Sequence, residues 1–306
     1  MRYQLRQFVH ASGERMAVLV DTDSGHPLPY PTLYSTIHHR NSGDAYNTIK
    51  SKLNTIKLLL EVCDYLDIPL EERFVRGDWL KRDEVELITG WLKKKKSNLD
   101  AAIKAKNFSK ENISILKPLK TEIIRYGVKI DVKESINTNG YNNVTETAKY
   151  IKWLADSLIE SHESEKMYKW LIAKRGIKPA NRQEMKAGLG EFQSLDKDQE
   201  SKVLDTVRPD SLSNPWKGDA VKYRNQLIVN LLLDIGCRKG ESLNIKTTDL
   251  VQGVSGPEIN IWRDPDSKND PRLNQPRVKT LSRTVVIKPQ LADMFEKYII
   301  SYRSTV

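Results

Sequence analysis

Residues 223–250 read YRNQLIVNLLLDIGCRKGESLNIKTTDL, and this stretch sets the expectations for the rest of the chain. Apolar residues dominate 227–235, which predicts a helix that is buried on all sides. Gly236 follows, and glycine commonly ends a helix because it adopts the left-handed conformation without strain. A second helix is predicted next, with Arg238 and Glu241 on one face because they are three residues apart. Since an arginine side chain keeps its charge, we expect an anionic group to meet Arg238.

Length and charge narrow the class of protein. A chain of 306 residues is more consistent with two domains than with one. The formal net charge of +10 and the pI of about 9.3 favour an anionic partner, with nucleic acid ahead of a membrane. The sequence contains no evident signal peptide or membrane span, and its histidines do not follow a metal-binding spacing. We therefore expect a cytoplasmic protein that uses no cofactor or metal.

Hydrophobic patterning predicts a mainly α fold with a small antiparallel β-sheet. The expected order is an N-terminal β-hairpin over 1–28, a helical bundle over 29–172, a basic linker over 173–194 and an α+β domain over 195–306. In the bundle, helices are predicted over 41–67, 83–96, 111–125 and 145–172. In the last domain, a capped helix is predicted over 196–207, strands over 258–262 and 279–287, and a helix from Pro289 onward.

Two regions concentrate positive charge. Residues 93–120 contain nine lysines and two acids, and residues 166–186 contain seven basic residues and one acid. The run at 93–96 is expected at a helix C-terminus, where the helix dipole favours cations. A solvated helix end and a phosphate contact explain this run equally well. The candidate DNA contacts in the two regions are Lys93, Lys94, Lys95, Lys96, Lys174 and Arg175.

The opening stretch resembles the first signature box of tyrosine recombinases of the phage-integrase type. That box consists of an apolar helix, Gly-x-Arg-x-x-Glu, a leucine-containing turn and an aspartate, and this sequence has Gly236, Arg238, Glu241, Leu243 and Asp249 at those places. The helical bundle resembles the core-binding domain of the same family in its layout. Downstream, Val278-Lys279-Thr280-x-x-Arg283 fits the family's lysine motif. The resemblance implies that Arg238 and Lys279 are catalytic, that Glu241 supports Arg238, and that Arg277 and Arg283 contact DNA.

The implied reaction cuts and rejoins double-stranded DNA for a mobile genetic element. A tyrosine attacks phosphorus and stores the bond energy as a phosphotyrosine, so the family needs neither ATP nor a metal. The planar fork of an arginine suits the non-bridging oxygens of the phosphate. The resemblance gives Lys279 the role of the acid that protonates the leaving 5′ oxygen.

The family also uses a His-x-x-Arg helix and a tyrosine nucleophile downstream of the lysine. No histidine follows residue 162, and Tyr298 and Tyr302 follow Lys279 too closely to be the nucleophile. We therefore expect a recombinase chain truncated before these elements, which binds DNA without cleaving it. Tetramers on DNA are expected only for the complete chain. Two alternatives stay open: a non-catalytic DNA-binding regulator or decoy derived from an integrase, and a helical scaffold whose basic surface meets no DNA.

Overall fold

The structure is a computed structural model that describes residues 2–113, 138–176, 178, 194–264, 267–276, 278 and 280–303. It divides into two compact units, Met1–Phe8 with Arg15–Met185 and Val9–Glu14 with Lys186–Val306. The fold is mainly helical, with a two-stranded sheet near the N-terminus and a three-stranded antiparallel sheet later in the chain. The predicted fold class is confirmed at this level.

A β-hairpin and a set of helices make up the N-terminal half of the chain. In chain order these elements are β1 (Tyr3–Val9), β2 (Arg15–Asp21), α1 (Pro29–Ser35), a π-helical turn (Thr36–Arg40), α2 (Tyr46–Tyr65), α3 (Leu70–Val75), α4 (Arg82–Lys93), α5 (Lys96–Ile113), α6 (Thr138–Leu158) and α7 (Glu163–Ala173).

Helix α2 lies at the centre of the first core. Its residues Leu53, Ile56 and Leu59 are fully buried and recur every three residues, which places them on one helical face. The hairpin contributes Leu19 to the same core. The helix ends just before Asp67, whose φ of 57° is incompatible with helix continuation. The predicted helix over 41–67 is therefore confirmed in its central part, with α2 beginning at Tyr46.

Residues 145–172 do not form the single helix that the sequence predicts. α6 ends at Leu158 and α7 begins at Glu163, so the apolar pattern continues through a break in the helix. The Ser161 hydroxyl accepts a hydrogen bond from the backbone N–H of Glu163 at 3.1 Å. Such local side-chain bonds compete with helical backbone bonds, which explains why continuous periodicity overestimates helix length here.

The lysine run at 93–96 also differs from expectation. α4 ends at Lys93 and α5 begins at Lys96, so the run joins two helices instead of ending one. Lys94 is extended, with φ −79° and ψ 161°, and this conformation ends α4. The prediction of a helix over 111–125 missed most of α5, and its remainder, 114–125, lies outside the described residues.

The first unit contains a buried polar cluster around Glu146 of α6, whose side chain is 1% exposed. Its carboxylate accepts hydrogen bonds from the Lys52 ammonium at 2.6 Å and from the Tyr34 hydroxyl at 3.1 Å, and it lies 2.8 Å from His39 Nε2. The other ring nitrogen of His39 lies 2.9 Å from the carboxylate of Asp44. Because buried charges need partners, this cluster fixes α1, the π-helical turn and α2 against α6.

The C-terminal half of the chain combines helices with the second sheet. Its elements are α8 (Lys197–Val207), α9 (Asp219–Ile235), α10 (Lys239–Ser242), a 3₁₀ turn (Thr247–Asp249), β3 (Leu250–Gly253), β4 (Gly256–Ile261), β5 (Arg283–Val286) and α11 (Pro289–Ser301). The predicted capped helix is confirmed, because the Asp196 carboxylate accepts the backbone N–H of Gln199 at 2.7 Å. The sequence did not predict β3.

The sheet has the order β3-β4-β5, and all its pairs are antiparallel. On β4, Ile259 and Ile261 are buried and face the core that also contains Leu227, Leu231 and Leu291. Ile261 pairs with Arg283, the first residue of β5. This register fixes the place where the chain segment after residue 279 enters the sheet.

Helix α9 is not buried on all sides as the apolar run predicts. Leu227 and Leu231 are buried, whereas Leu233 is 37% exposed and Asp234 pairs with Lys288 at 2.6 Å. In the described part of the chain, α8, α10 and α11 pack on α9. They cover one stripe, so the other apolar side chains of α9 stay partly exposed.

Among the helices of the described residues, none is both long enough and apolar enough to cross a membrane.

Candidate functional site

The turn after α9 presents Arg238 to the solvent. Gly236 ends the helix in the left-handed conformation, with φ 59° and ψ 26°, as its sequence position predicts. Cys237 then points inward, and burial raises the pKa of its thiol. Arg238 is extended, with φ −75° and ψ 151°, and its side chain is 61% exposed. Because Cys237 points into the core, the next side chain, Arg238, points out of it.

Glu241, on the short helix α10, is the centre of the site. Its side chain has no exposed surface, and its Oε2 accepts the backbone N–H of Arg238 at 2.9 Å. Arg283 donates to the same carboxylate through Nη1 at 3.2 Å and Nη2 at 2.8 Å, and the Thr280 hydroxyl donates to Oε1. The Arg238 guanidinium lies 3.6 Å from Oε1. Two arginines and a threonine from two chain segments therefore meet at one carboxylate.

These contacts keep Glu241 ionised. The hydrogen bonds from Arg283 lower the pKa of the carboxyl to about 2, against the opposing effect of burial, and the Thr280 hydroxyl and the Arg238 N–H act in the same direction. Arg283 also donates to the Thr280 hydroxyl at 2.9 Å. The segment that leads into β5 is thus fastened to the start of α10 by charged and neutral hydrogen bonds together.

A second set of contacts fastens the loop at 267–276 to the chain just after α10. Arg272 forms a bidentate pair with Asp270 at 2.7–2.9 Å, and it also donates to the Leu243 carbonyl at 2.9 Å and to the Asn244 side chain at 3.0 Å. Asn244 in turn donates to the Pro276 carbonyl at 2.5 Å. The loop is therefore attached to residues 243–244 at two points, Arg272 and Pro276.

Asp249, the aspartate of the sequence motif, makes hydrogen bonds that stabilise the fold. It is buried, and its carboxylate accepts the Lys246 backbone N–H at 2.7 Å and the Trp262 indole N–H at 3.0 Å. These bonds close the 3₁₀ turn and connect it to the end of β4. They explain an acid at this position without any role in binding a ligand.

Lys279 and Arg277, the candidate acid and a candidate DNA contact, lie outside the described residues. Their described neighbours are Val278, which packs in the core, and Thr280, which binds Glu241. The structure brings Arg238, Glu241 and Arg283 together, and these three residues were singled out from the sequence. Sequence reasoning missed Thr280 as a partner of Glu241, and it also missed that Glu241 binds Arg283.

The candidate DNA-binding lysines of the first unit have different surroundings. Lys93 and Lys95 are exposed, and Lys94 lies 4.3 Å from the centre of the Trp91 ring. Lys96 pairs with Glu61 at 2.8 Å and with Asp100 at 2.6 Å. Because Glu61 is 4% exposed, Lys96 serves as the partner of a buried acid.

The remaining candidates of the first unit also contact neighbouring side chains. Lys174 forms an ion pair with Glu86, and the Arg175 guanidinium lies 4.5 Å from the centre of the Tyr141 ring. The first contact joins α4 to the end of α7, and the second joins α6 to it.

The site around Glu241 is suited to holding an anion. Its two guanidinium groups outnumber the single carboxylate, and Arg238 exposes more of its side chain than Arg283 does, 61% against 36%. In the described residues, no cluster of histidine, cysteine, aspartate and glutamate could hold a metal ion.

Comparison with protein-family models, with curated proteins and with solved structures gives no match. The likeness to a family therefore rests on the sequence alone.

Proposed function

We propose that this chain is part of an integrase-type tyrosine recombinase of a mobile genetic element, and that it binds duplex DNA with Arg238 on a backbone phosphate. The observation that carries the proposal is the exposed Arg238 guanidinium beside a buried glutamate, which also binds Thr280 and Arg283 of the segment containing Lys279. An arginine fork donates hydrogen bonds to two phosphate oxygens at once, so its exposure at a fixed turn suits this ligand.

The proposed organisation assigns DNA clamping to the first unit and the recombinase chemistry to the second. Support comes from the mainly helical content of the first unit and from the three-stranded sheet next to the Arg238 turn in the second. In the second unit, Arg238 binds the phosphate, Lys279 protonates the leaving 5′ oxygen, and Glu241 holds Arg238 through its backbone. These 306 residues contain no histidine after residue 162 and so no downstream His-x-x-Arg. We therefore propose binding without cleavage for this chain.

Fluorescence anisotropy with a labelled duplex over a series of salt concentrations tests the binding. Several phosphate contacts give an affinity that falls steeply as salt rises. Replacing Arg238 by alanine should weaken binding about tenfold. The slope of the logarithm of affinity against the logarithm of salt concentration should fall by about one, the value for one phosphate contact. The matched control is Arg208→Ala, since Arg208 is similarly exposed at 56% but pairs with Asp210 in the same unit.

Equal effects of Arg238→Ala and Arg208→Ala would refute the role of Arg238, and an affinity that does not depend on salt would refute DNA binding itself. The non-cleavage proposal has a separate test. Incubation with duplex followed by denaturing electrophoresis should show no covalent protein–DNA adduct, and an adduct would overturn that part alone.

A further inference from the structure

The two arginines at Glu241 are bound to it unequally. Arg283 reaches both carboxylate oxygens, at 3.2 and 2.8 Å, whereas the closest approach of the Arg238 guanidinium is 3.6 Å. A bidentate pair satisfies the charge and the hydrogen-bonding capacity of a carboxylate better than a single long contact does. In the described part of the chain, no other acid forms an ion pair with Arg238. The positive charge of Arg238 is therefore left largely uncompensated.

We propose that Arg283 is a positioning residue: it neutralises Glu241 and thereby leaves the Arg238 guanidinium available to an anionic ligand. The identity of that ligand as a DNA phosphate rests on the proposed function, whereas the division of labour between the two arginines does not. This assignment replaces the direct DNA contact that the sequence suggests for Arg283.

The burial of Glu241 makes its compensation necessary. Its side chain has no exposed surface, and without Arg283 its hydrogen bonds would come only from neutral donors, the Thr280 hydroxyl and the Arg238 backbone N–H, with the Arg238 guanidinium as a longer ionic contact at 3.6 Å. A buried charge without an ionic partner is strongly destabilising. The nearest remaining cation is the Arg238 guanidinium, which needs to move by less than an ångström to turn its 3.6 Å ionic contact into a hydrogen-bonded ion pair. Removal of Arg283 should therefore draw Arg238 onto Glu241 and away from its ligand.

An experiment can distinguish this mechanism from a direct contact of Arg283 with DNA. If Arg283 acts through Glu241, neutralising Glu241 as well should make Arg283 dispensable, because Arg238 then has no carboxylate to join. If Arg283 itself binds the ligand, neutralising Glu241 cannot restore what its removal takes away. The double variant therefore decides between the two.

The experiment compares wild type with Arg283→Gln, Glu241→Gln and the double variant. Glutamine at 241 can turn its oxygen towards the Arg238 N–H and its NH₂ group towards the Thr280 hydroxyl, which can accept a hydrogen bond, so it removes charge while preserving shape. The first measurement needs no DNA: phenylglyoxal modifies accessible arginines, and peptide mass spectrometry follows Arg238, with Arg208 as the internal standard. Arg283→Gln should slow modification of Arg238 several-fold, and the double variant should return it to near the wild-type rate.

The second measurement is affinity for a labelled duplex at one salt concentration. Arg283→Gln should weaken binding about tenfold, as expected when one charged hydrogen-bonded contact is lost, and the double variant should recover to within about twofold of wild type. A double variant as impaired as Arg283→Gln in both measurements overturns the proposal. If wild type does not bind DNA, the proposed function fails, and recovery of Arg238 modification in the double variant still supports the inference.

Thermal melting checks that each variant folds. Should Arg283→Gln fail to fold, Arg283→Lys replaces it, because lysine keeps the charge but loses the bidentate geometry. This variant should retain at least about half of the wild-type modification rate of Arg238, since an ammonium still compensates the carboxylate. A loss of Arg238 modification in Arg283→Lys as large as that expected for the glutamine variant would overturn the proposal.

Discussion

Replacing Glu146 by glutamine should change how the stability of the first unit depends on pH. Burial alone would raise the pKa of this carboxyl, but the hydrogen bonds from His39 and Lys52 outweigh it and lower the pKa to about 2. The hydrogen bond to Glu146 also raises the pKa of His39, with a further contribution from Asp44. The two shifts are coupled, because each group stabilises the charged form of the other.

The direction of each effect follows from linkage. Lowering the carboxyl pKa from 4.5 to about 2 corresponds to about 3 kcal/mol of stability. This contribution is complete above pH 4.5 and is lost as the pH falls towards 2. The His39 contribution is complete below its ordinary value of 6.5 and is lost as the pH rises through its raised pKa in the folded protein. The stability due to this pair is therefore greatest between the two ordinary values.

Urea denaturation followed by tryptophan fluorescence, at pH values from about 3 to 9, measures these contributions. Glu146→Gln should lower the free energy of unfolding by about 3 kcal/mol near pH 5.5 and by much less near pH 3. Part of the alkaline decline should persist, because Asp44 still contacts His39. The control is Glu165→Gln, which removes an acid that is 48% exposed on α7. A difference between wild type and Glu146→Gln that is the same at every pH would refute the argument.

Four further predictions concern the turn, the lysine motif and the basic run. Gly236→Ala should destabilise the second unit by about 1–2 kcal/mol in thermal melting, because its φ of 59° disfavours a β-carbon, and Gly236→Asn should cost less. In a chain extended by a His-x-x-Arg helix and a nucleophilic tyrosine, Lys279→Ala should slow DNA cleavage about 100-fold or more while binding persists. A substrate with a 5′-thio leaving group should then restore cleavage, and no rescue counts against an acid role. Replacing Lys93 and Lys95 together by glutamine should reduce the salt slope of DNA binding by up to about 2. Lys96→Gln should instead lower the melting temperature, since the buried Glu61 loses its 2.8 Å partner and keeps only the more distant Lys57 at 3.9 Å as an ion-pair partner in the described residues.

Local chemistry made parts of this fold predictable. The Asp196 cap, the left-handed Gly236 and the stripe of Leu291, Met294, Phe295 and Tyr298 on α11 each depend on residues close together in sequence. The core face of α2 follows from the same kind of spacing. These features need no knowledge of what lies across the core.

The predictions from sequence were wrong where a distant or competing contact determines the local structure. The apolar pattern of 145–172 gives no sign of the break at Ser161, where one hydroxyl satisfies a helix N–H. Likewise, the apolar run of 227–235 predicts burial on every side, whereas exposure depends on which elements pack around α9. Periodicity indicates which face can be buried, and the packing partners determine how much of it is buried.

The partners of Glu241 show the same limit at the candidate site. The sequence identifies Arg238, Glu241 and Arg283 as charged residues of interest, but it does not say which arginine the glutamate binds. The answer depends on the register that pairs Ile261 with Arg283 and so brings β5 next to α10. Once that register is known, Glu241 is seen to be a buried anion bound by Arg283, and our proposal gives Arg238 the role of the cation left for a ligand.

The basic residues of the chain also divide into cations that are paired with carboxylates and cations that are available to a ligand. Composition counts Lys96, Lys174 and Arg283 as equal contributors to the net charge of +10. In the structure, each of the three is paired with a carboxylate, respectively Glu61, Glu86 and Glu241, and of these acids Glu61 and Glu241 are buried whereas Glu86 is exposed. Binding of a polyanion releases counterions only from cations that contact its phosphates, and a cation that leaves a buried carboxylate must first overcome that pairing. The cations best placed to bind DNA are therefore the exposed ones that support no buried acid, such as Lys93 and Lys95, together with Arg238, whose neighbouring acid is already neutralised by Arg283.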